Sequence, residues 1–282
     1  MATLSRSTPP STPPSTPPRS QRRAATVTLS DGAPVTCRVD HEESQVPIFA
    51  TDRFVPLEAG RAATRGAGGI EMVPVGEQFP GAFVLQHFLS ASECADMVLC
   101  AEAMGFDAAK VTTNSGTMVA MPGYRSNERV IWHTGPGMVE PLMERLMPFL
   151  QSPEIGNLLP GWTPYALNER LRVFKYSRGQ EFRKHYDGGF NRNQYDRSYM
   201  TFIAYLGTPE EGGHTGFYDD SSAQQTSVPP TMGSALIFFH QDHPLSPLHS
   251  GLPVLRGTKY AVRSDIMFRK PPPSTVAAGD RL

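Results

Sequence analysis

The chain has 282 residues, 26 basic and 27 acidic side chains, a formal net charge of −1 and 39% hydrophobic residues. That length holds one sizeable core plus appendages, and near-zero charge argues against a phosphate backbone or an anionic lipid surface as partner. Three cysteines, Cys37, Cys94 and Cys100, are too few for a disulfide-stapled secreted fold and fit a reducing compartment.

Residues 1–30 carry Thr-Pro-Pro and Ser-Thr-Pro-Pro repeats, no acid before Asp31 and few bulky apolar side chains to offset the entropy of ordering. They read as a disordered leader. Arg6, Arg19, Arg22 and Arg23 give it the composition of an organellar transit peptide, but tandem prolines oppose the amphipathic helix such peptides form, which favours a flexible arm. No run of 18 apolar residues and no secretory apolar block occurs, so the expectation is a soluble intracellular protein, cytoplasmic unless the leader directs it to an organelle. Residues 31–68 are left as a linker or N-terminal extension. A folded domain is expected over 69–270, and a flexible tail over 271–282 begins with Pro271, Pro272 and Pro273.

Within the domain, Phe83-Val84-Leu85 and Phe88-Leu89 predict a strand leading to a helix at Ser90, where Glu93 completes a capping box; the helix ends near Gly105. Leu142, Leu146 and Leu150 share one face of a second helix over 139–150. After Gly161 the pattern predicts strands over 171–176, 199–206, 214–218, 235–240 and 259–268. The expected fold is mainly β with supporting α-helices, a sandwich or barrel with the helices on one outer face.

Chemistry concentrates in two places. His185-Tyr-Asp187 follows a strand and puts an imidazole and a carboxylate on one side of an extended backbone, where both can grip one cation. A third ligand would come from His240, His243 or His249. Two histidines and one carboxylate on one face leave open positions, as in non-haem Fe(II) oxygenases, whereas zinc hydrolases usually need only one. The strand after His249 carries Lys259 and Arg263 at even spacing, and a cation buried in a barrel demands an anionic partner. Farther upstream, the polar segment Tyr124-Arg125-Ser-Asn127-Glu-Arg129, placed between the two helices, reads either as substrate-entrance residues Arg125, Asn127 and Arg129 or as a solvated loop.

From about Phe83 to Arg269 the sequence resembles the Fe(II)/2-oxoglutarate-dependent dioxygenase superfamily, in its prolyl 4-hydroxylase-like branch. The resemblance rests on His185-Tyr-Asp187 after a strand ending in Tyr176, on Glu211-Gly-Gly-His-Thr215, and on His249 with Lys259 ten residues later. It implies a double-stranded β-helix (jelly-roll) core, His185, Asp187 and His249 as metal ligands, and Lys259 pairing with the distal carboxylate of 2-oxoglutarate. It also implies a hydrogen bond from Tyr176 to that co-substrate, with Arg263 as an alternative anchor or support. His249 is chosen over its rivals by its spacing to Lys259; His240 is expected to be a satisfied core residue and His243 a solvated loop residue. One departure is His214, where the family often has Glu in the Gly-Gly-x-Thr turn.

The same resemblance implies Fe(II), 2-oxoglutarate and O₂ as cofactors, with L-ascorbate as a supporting reductant. Hydroxylation of a C–H bond would release succinate and CO₂. A peptidyl proline or other protein side chain and a free small molecule are the favoured substrates, ahead of a methylated nucleobase. A non-catalytic metal-binding jelly roll is the contrasting class. The fold alone hosts many chemistries, so this step rests on analogy.

Overall fold

The computed structural model describes residues 24–43, 46–53, 55–57, 69–113, 117–240 and 243–271. In chain order the principal strands are β1 (Ala25–Thr28), β2 (Pro34–Glu43), β3 (Val46–Thr51), β4 (Glu71–Pro74), β5 (Phe83–Gln86), β6 (Glu128–His133), β7 (Arg170–Tyr176), β8 (Phe182–His185), β9 (Asp196–Gly207), β10 (Thr215–Tyr218), β11 (Gln224–Val228), β12 (Ala235–Phe239), β13 (Leu248–Gly251) and β14 (Lys259–Arg269). The two longer helices are α1 (Ala91–Met104) and α2 (Pro136–Leu150). The fold is a double-stranded β-helix built from two facing sheets. The large one has the order β1-β2-β3-β6-β7-β14-β9-β12-β5-β4, with short strands on its flanks, and the small one the order β8-β13-β10-β11. Neighbours pair antiparallel except β3 with β6, which run parallel at Ile48↔Ile131 and Phe49↔Trp132.

Alternation along the strands sorts the side chains into two layers. Phe202, Ala204, Val262, Leu171, Val173, Val130 and Trp132 point away from the small sheet and pack under α1 and α2 in the main hydrophobic cluster. Tyr205, Leu236, Phe238 and Ala261 point inward and meet Phe217 and Val228 of the small sheet. What remains of the inner face, toward β6 and β7, carries charge instead of hydrocarbon.

Helix α1 begins as expected: Ser90 Oγ accepts from the Glu93 backbone N–H and the Glu93 carboxylate accepts from Ser90 N–H, closing the capping box. Glu93 also forms a buried, two-pronged ion pair with Arg145 of α2 at 2.7 and 3.0 Å, which ties the two helices together. Helix α2 starts one turn before the predicted Val139 because Pro136 suits a first-turn position. Leu142, Leu146 and Leu150 are buried as expected.

Two expectations need correction. Residues 25–28, read as the end of the leader, form β1, and much of the segment read as linker or extension forms β2 and β3; Val35, Cys37, Ile48 and Phe49 are buried. A folded unit starting at residue 69 is therefore too short, and residues 1–23 lie outside the described residues. Residues 128–129, placed in an interhelical loop, open β6, because their backbone pairs with β7 more than 40 residues later. Of the expected tail over 271–282, residues 272–282 also lie outside the described residues. No described helix is long and apolar enough to cross a membrane.

Candidate metal and co-substrate site

Strand β8 pairs antiparallel with β13 so that His185 stands directly opposite His249, with ring centroids 4.3 Å apart. Asp187 lies in the loop after β8. Its Oδ1 is 3.6 Å from His185 Nε2 and its Oδ2 3.7 Å from His249 Nε2. All three donor atoms lie within 4.8 Å of one another, the sole such group of three or more His, Cys, Asp or Glu residues found among the described residues.

The donor set suits a divalent transition metal by its own hydrogen bonds. His185 Nδ1 is 2.7 Å from the Arg183 carbonyl and His249 Nδ1 3.1 Å from the Pro247 carbonyl, so each imidazole donates from Nδ1 and keeps its Nε2 lone pair for a cation. Asp187 Oδ2 accepts from Thr201 Oγ1 at 2.8 Å and from Arg263 Nε at 3.1 Å, which fixes the carboxylate. Burial raises the pKa of Asp187, but Arg263 and the two imidazoles outweigh it and hold the carboxyl well below the usual range. Burial, then the neighbouring His185, pushes His249 down to about 4, so its ring is neutral at pH 7. Two imidazoles and one carboxylate on one wall leave the opposite side of the site open, the donor pattern that suits non-haem Fe(II).

That open side is a cavity of about 840 Å³, lined among others by Tyr176, Thr215, Ile203, Lys259, Arg263, Arg125 and Arg129. Lys259 and Tyr176 sit opposite each other across β14 and β7. The Lys259 ammonium is buried, lies 5.2 and 5.3 Å from the ring centres of Tyr176 and Tyr205, and donates to the Gly213 carbonyl at 2.6 Å. No carboxylate of the described residues is within ion-pair distance of it, and burial lowers its pKa to about 7.

Arg263, equally buried, is already committed to two acids: Nε to Asp187, and Nη2 to Asp265 at 3.0 Å. Asp265 also reaches Arg172 at 3.2 Å. Arg172 and Arg263 face each other directly across β7 and β14, a like-charge pairing that is unfavourable without the shared Asp265.

Of the three upstream residues, Arg125 and Arg129 line the cavity. Asn127 does not; it is 1% exposed and its Oδ1 accepts from Arg125 Nε at 2.8 Å, so it braces the arginine from behind. The segment is thus neither a solvated loop nor a uniform substrate wall. His240 is fully buried and bonded to Ser198 Oγ at 2.9 Å, as expected. His243 is half-buried rather than a free loop side chain: its ring stacks on Phe239 at 3.8 Å and its Nε2 lies 3.1 Å from the Leu158 carbonyl. His214 is not part of the cavity lining, so the departure there leaves the pocket unaltered.

Sequence reasoning missed Thr201, Arg172 and the aromatic pair Phe174 and Phe182. Even spacing along 199–206 and 171–176 would have placed Thr201, Arg172 and Phe174 on the inner face. Gly189 was also overlooked: a Cβ there would stand 2.6 Å from His240 Cε1, so the loop after Asp187 can pass only as glycine.

Comparison with known proteins agrees with this arrangement. Residues 171–264 match the model of the 2OG-Fe(II) oxygenase superfamily. An Arabidopsis thaliana probable prolyl 4-hydroxylase 3 is 28% identical over 228 residues, covering 71% of this chain and 76% of that protein. Arabidopsis thaliana prolyl 4-hydroxylase 2 is 25% identical over 208 residues, covering 64% of this chain and 65% of that protein. Among solved structures, the 2OG complex of a viral collagen prolyl hydroxylase from Paramecium Bursaria Chlorella virus-1 aligns with a TM-score of 0.46 and 22% identity, covering 66% of this chain and 96% of that one. The match of residues 171–264 to the 2OG-Fe(II) oxygenase model, the prolyl 4-hydroxylase relatives and the His-Asp-His cluster together make the chain a 2-oxoglutarate-dependent dioxygenase.

Proposed function

We propose that this dioxygenase hydroxylates a prolyl residue, or another side chain, of a peptide. In this reading His185, Asp187 and His249 hold Fe(II), Lys259 and Tyr176 hold 2-oxoglutarate, and Arg125 and Arg129 face the substrate. The observation that carries it is the buried, acid-free Lys259 ammonium on the same cavity wall as the His-Asp-His cluster. When bound, Fe(II) with 2-oxoglutarate and O₂ supplies the oxidising power for C–H hydroxylation, with release of succinate and CO₂.

The chain's own residues do the rest. Thr201 and Arg263 hold Asp187 in one orientation, and Nδ1 donation holds each imidazole. Lys259, protonated, offers its ammonium to a carboxylate, and the Tyr176 hydroxyl, itself buried, offers a second donor. Phe174, Phe182 and Ile203 line the chamber with hydrocarbon and exclude water from the reacting C–H bond. Arg263 serves as the brace of Asp187 and not as the co-substrate anchor, since Asp187 and Asp265 already occupy it.

A peptide is favoured over a free small molecule because a second cleft of about 470 Å³ adjoins the chamber, sharing Tyr124, Phe182, Lys184, Ser250 and Gly251 with it. That gives an extended ligand a place to continue. The three buried free thiols support a reducing, cytoplasmic setting. The test is mass spectrometry of proline-containing peptides incubated with the enzyme, Fe(II), 2-oxoglutarate and ascorbate. A gain of one oxygen on proline supports the reading; oxidation of small acids alone, with every peptide unchanged, removes the peptide assignment.

A further inference from the structure

The two imidazoles of the cluster sit in unequal settings. His249 lies on β13, an inner strand of the small sheet, and is buried; its ring meets Phe238 edge-on at 4.6 Å and Phe217 at 6.3 Å. His185 lies on β8, the outermost strand of that sheet, and is only half-buried. A ligand at a sheet edge has fewer neighbours to lock its rotamer, so it needs a device of its own to hold one orientation.

A β-bulge supplies that device. Phe182 pairs with Gly251 and His185 with His249, so β8 carries one residue more than β13 between the two pairs. On a regular strand positions 182 and 185 face opposite sides; the extra residue turns them to the same one. The Phe182 ring therefore stacks on the His185 ring, with centroids 3.6 Å apart and planes 22° from parallel. Two groups in contact with one ring centre cannot share a face, so the Arg125 guanidinium, 4.2 Å from that centre, covers the other side. Phe174 flanks the guanidinium in turn at 4.8 Å, and Asn127 Oδ1 accepts from Arg125 Nε. Tyr124 meets the Phe182 ring edge-on at 5.7 Å, and the backbones of Arg125 and Phe182 are bridged.

We propose that Phe182, backed by Arg125, is the positioning residue for His185. The stack fixes the plane of the imidazole, the Arg183 carbonyl fixes its rotation by accepting from Nδ1, and Nε2 stays aimed at the metal. This rests on the reading of His185 as a metal ligand given above and adds to it the group that holds the ligand in place. Arginine suits the far side of the ring because its guanidinium is flat and stacks on an aromatic face, which a lysine ammonium cannot match. The sandwich is closed on both faces, so the Phe182 ring cannot tilt without displacing either Arg125 or His185.

The experiment uses the full chain and reads the metal, not turnover. Mn(II) affinity is followed by electron paramagnetic resonance and ligand geometry by the visible absorption of bound Co(II), with urea unfolding alongside, for wild type, Phe182→Leu, Phe182→Tyr and Arg125→Met. Phe182→Leu keeps an apolar side chain without a flat face. Its Mn(II) affinity should fall about tenfold, the lower end of the range for losing a group that orients a ligand, and its Co(II) spectrum should change. Phe182→Tyr keeps the ring, which lines both the chamber and the outer cleft, and should match wild type in both readouts. Arg125→Met removes the backing and should move both readouts the same way, by about threefold in affinity. A merely structural Phe182 would lower the urea midpoint of Phe182→Leu and leave the metal affinity and Co(II) spectrum at wild-type values, which overturns the proposal. Equal losses in the Leu and Tyr variants overturn it as well, because the ring is then not what matters. Should Phe182→Leu fail to fold, wild-type readouts in Arg125→Met or a loss in Phe182→Tyr have the same force. Wild type that binds neither metal refutes the metal-ligand reading itself, an outcome distinct from wild-type binding that the variants leave unchanged.

Discussion

Replacing Lys259 with Met should stabilise the ligand-free protein and cripple co-substrate binding at the same time. The ammonium is 4% exposed and burial lowers its pKa from 10.5 to about 7. A shift of that size corresponds to a penalty of about 4–5 kcal/mol for keeping the charge inside, at ~1.36 kcal/mol per unit. The unfolded chain binds the proton more tightly than the folded one. The penalty is therefore fully present below pH 7 and fades as the pH rises toward the unfolded value of 10.5. Met is close in length, carries no charge and loses one hydrogen bond to Gly213, worth roughly 1 kcal/mol. The expected net gain at pH 7 is about 3–4 kcal/mol, and the difference from wild type should vanish near pH 10. Against that, removing one member of a buried charge pair costs roughly 2–5 kcal/mol of binding, or about 30-fold to several thousand-fold in the dissociation constant for 2-oxoglutarate. Urea unfolding across pH gives the first number and calorimetry with Mn(II) the second. A variant that is destabilised and still binds 2-oxoglutarate like wild type would show that Lys259 is a structural lysine and refute the reasoning.

Three further outcomes follow from the same geometry. Because Lys259 must be protonated to meet a carboxylate and burial lowers its pKa to about 7, 2-oxoglutarate affinity should fall as the pH rises above 7, with proton uptake on binding; calorimetry in buffers of different ionisation enthalpy reads it. Arg263→Met removes the brace on Asp187 and leaves Asp265 with Arg172 alone, so Mn(II) affinity should drop about 10- to 100-fold, the range typical of losing a partner that orients a metal ligand. Titration followed by electron paramagnetic resonance would detect this. Glu93→Gln removes the carboxylate that neutralises the buried Arg145 between α1 and α2 and should cost roughly 3–5 kcal/mol in urea unfolding, while a loss under 1 kcal/mol would mean that the ion pair is dispensable.

The His-Asp-His cluster was legible because its parts are local: a two-residue spacing places His185 and Asp187 on one side, and the strand after His249 announces itself by apolar alternation around Lys259 and Arg263. The choice of His249 over His240 rested on family spacing, and the buried Ser198 partner of His240 explains why the latter is taken. Helix α1 was legible from Ser90 and Glu93 alone. The N-terminal strands were not, because β3 is stabilised by a parallel partner some 80 residues away, and 46–51 is too short to declare a period. Nor was the nature of Arg125 visible: the rings flanking it, Phe174 and Phe182, come from β7 and β8, about 50 residues downstream. Polar residues between two helices look solvated until the sheet that closes over them is known.

The central claim is that the His185, Asp187 and His249 cluster together with Lys259 forms a working Fe(II) and 2-oxoglutarate site. Succinate released by the purified chain with Fe(II), 2-oxoglutarate, ascorbate and O₂ measures it directly, comparing wild type with Asp187→Ala and Lys259→Ala. The account predicts slow succinate release from wild type even before a substrate is found, and none above background from either variant. Wild-type silence together with no metal-dependent binding of 2-oxoglutarate, or equal release from all three proteins, would contradict it.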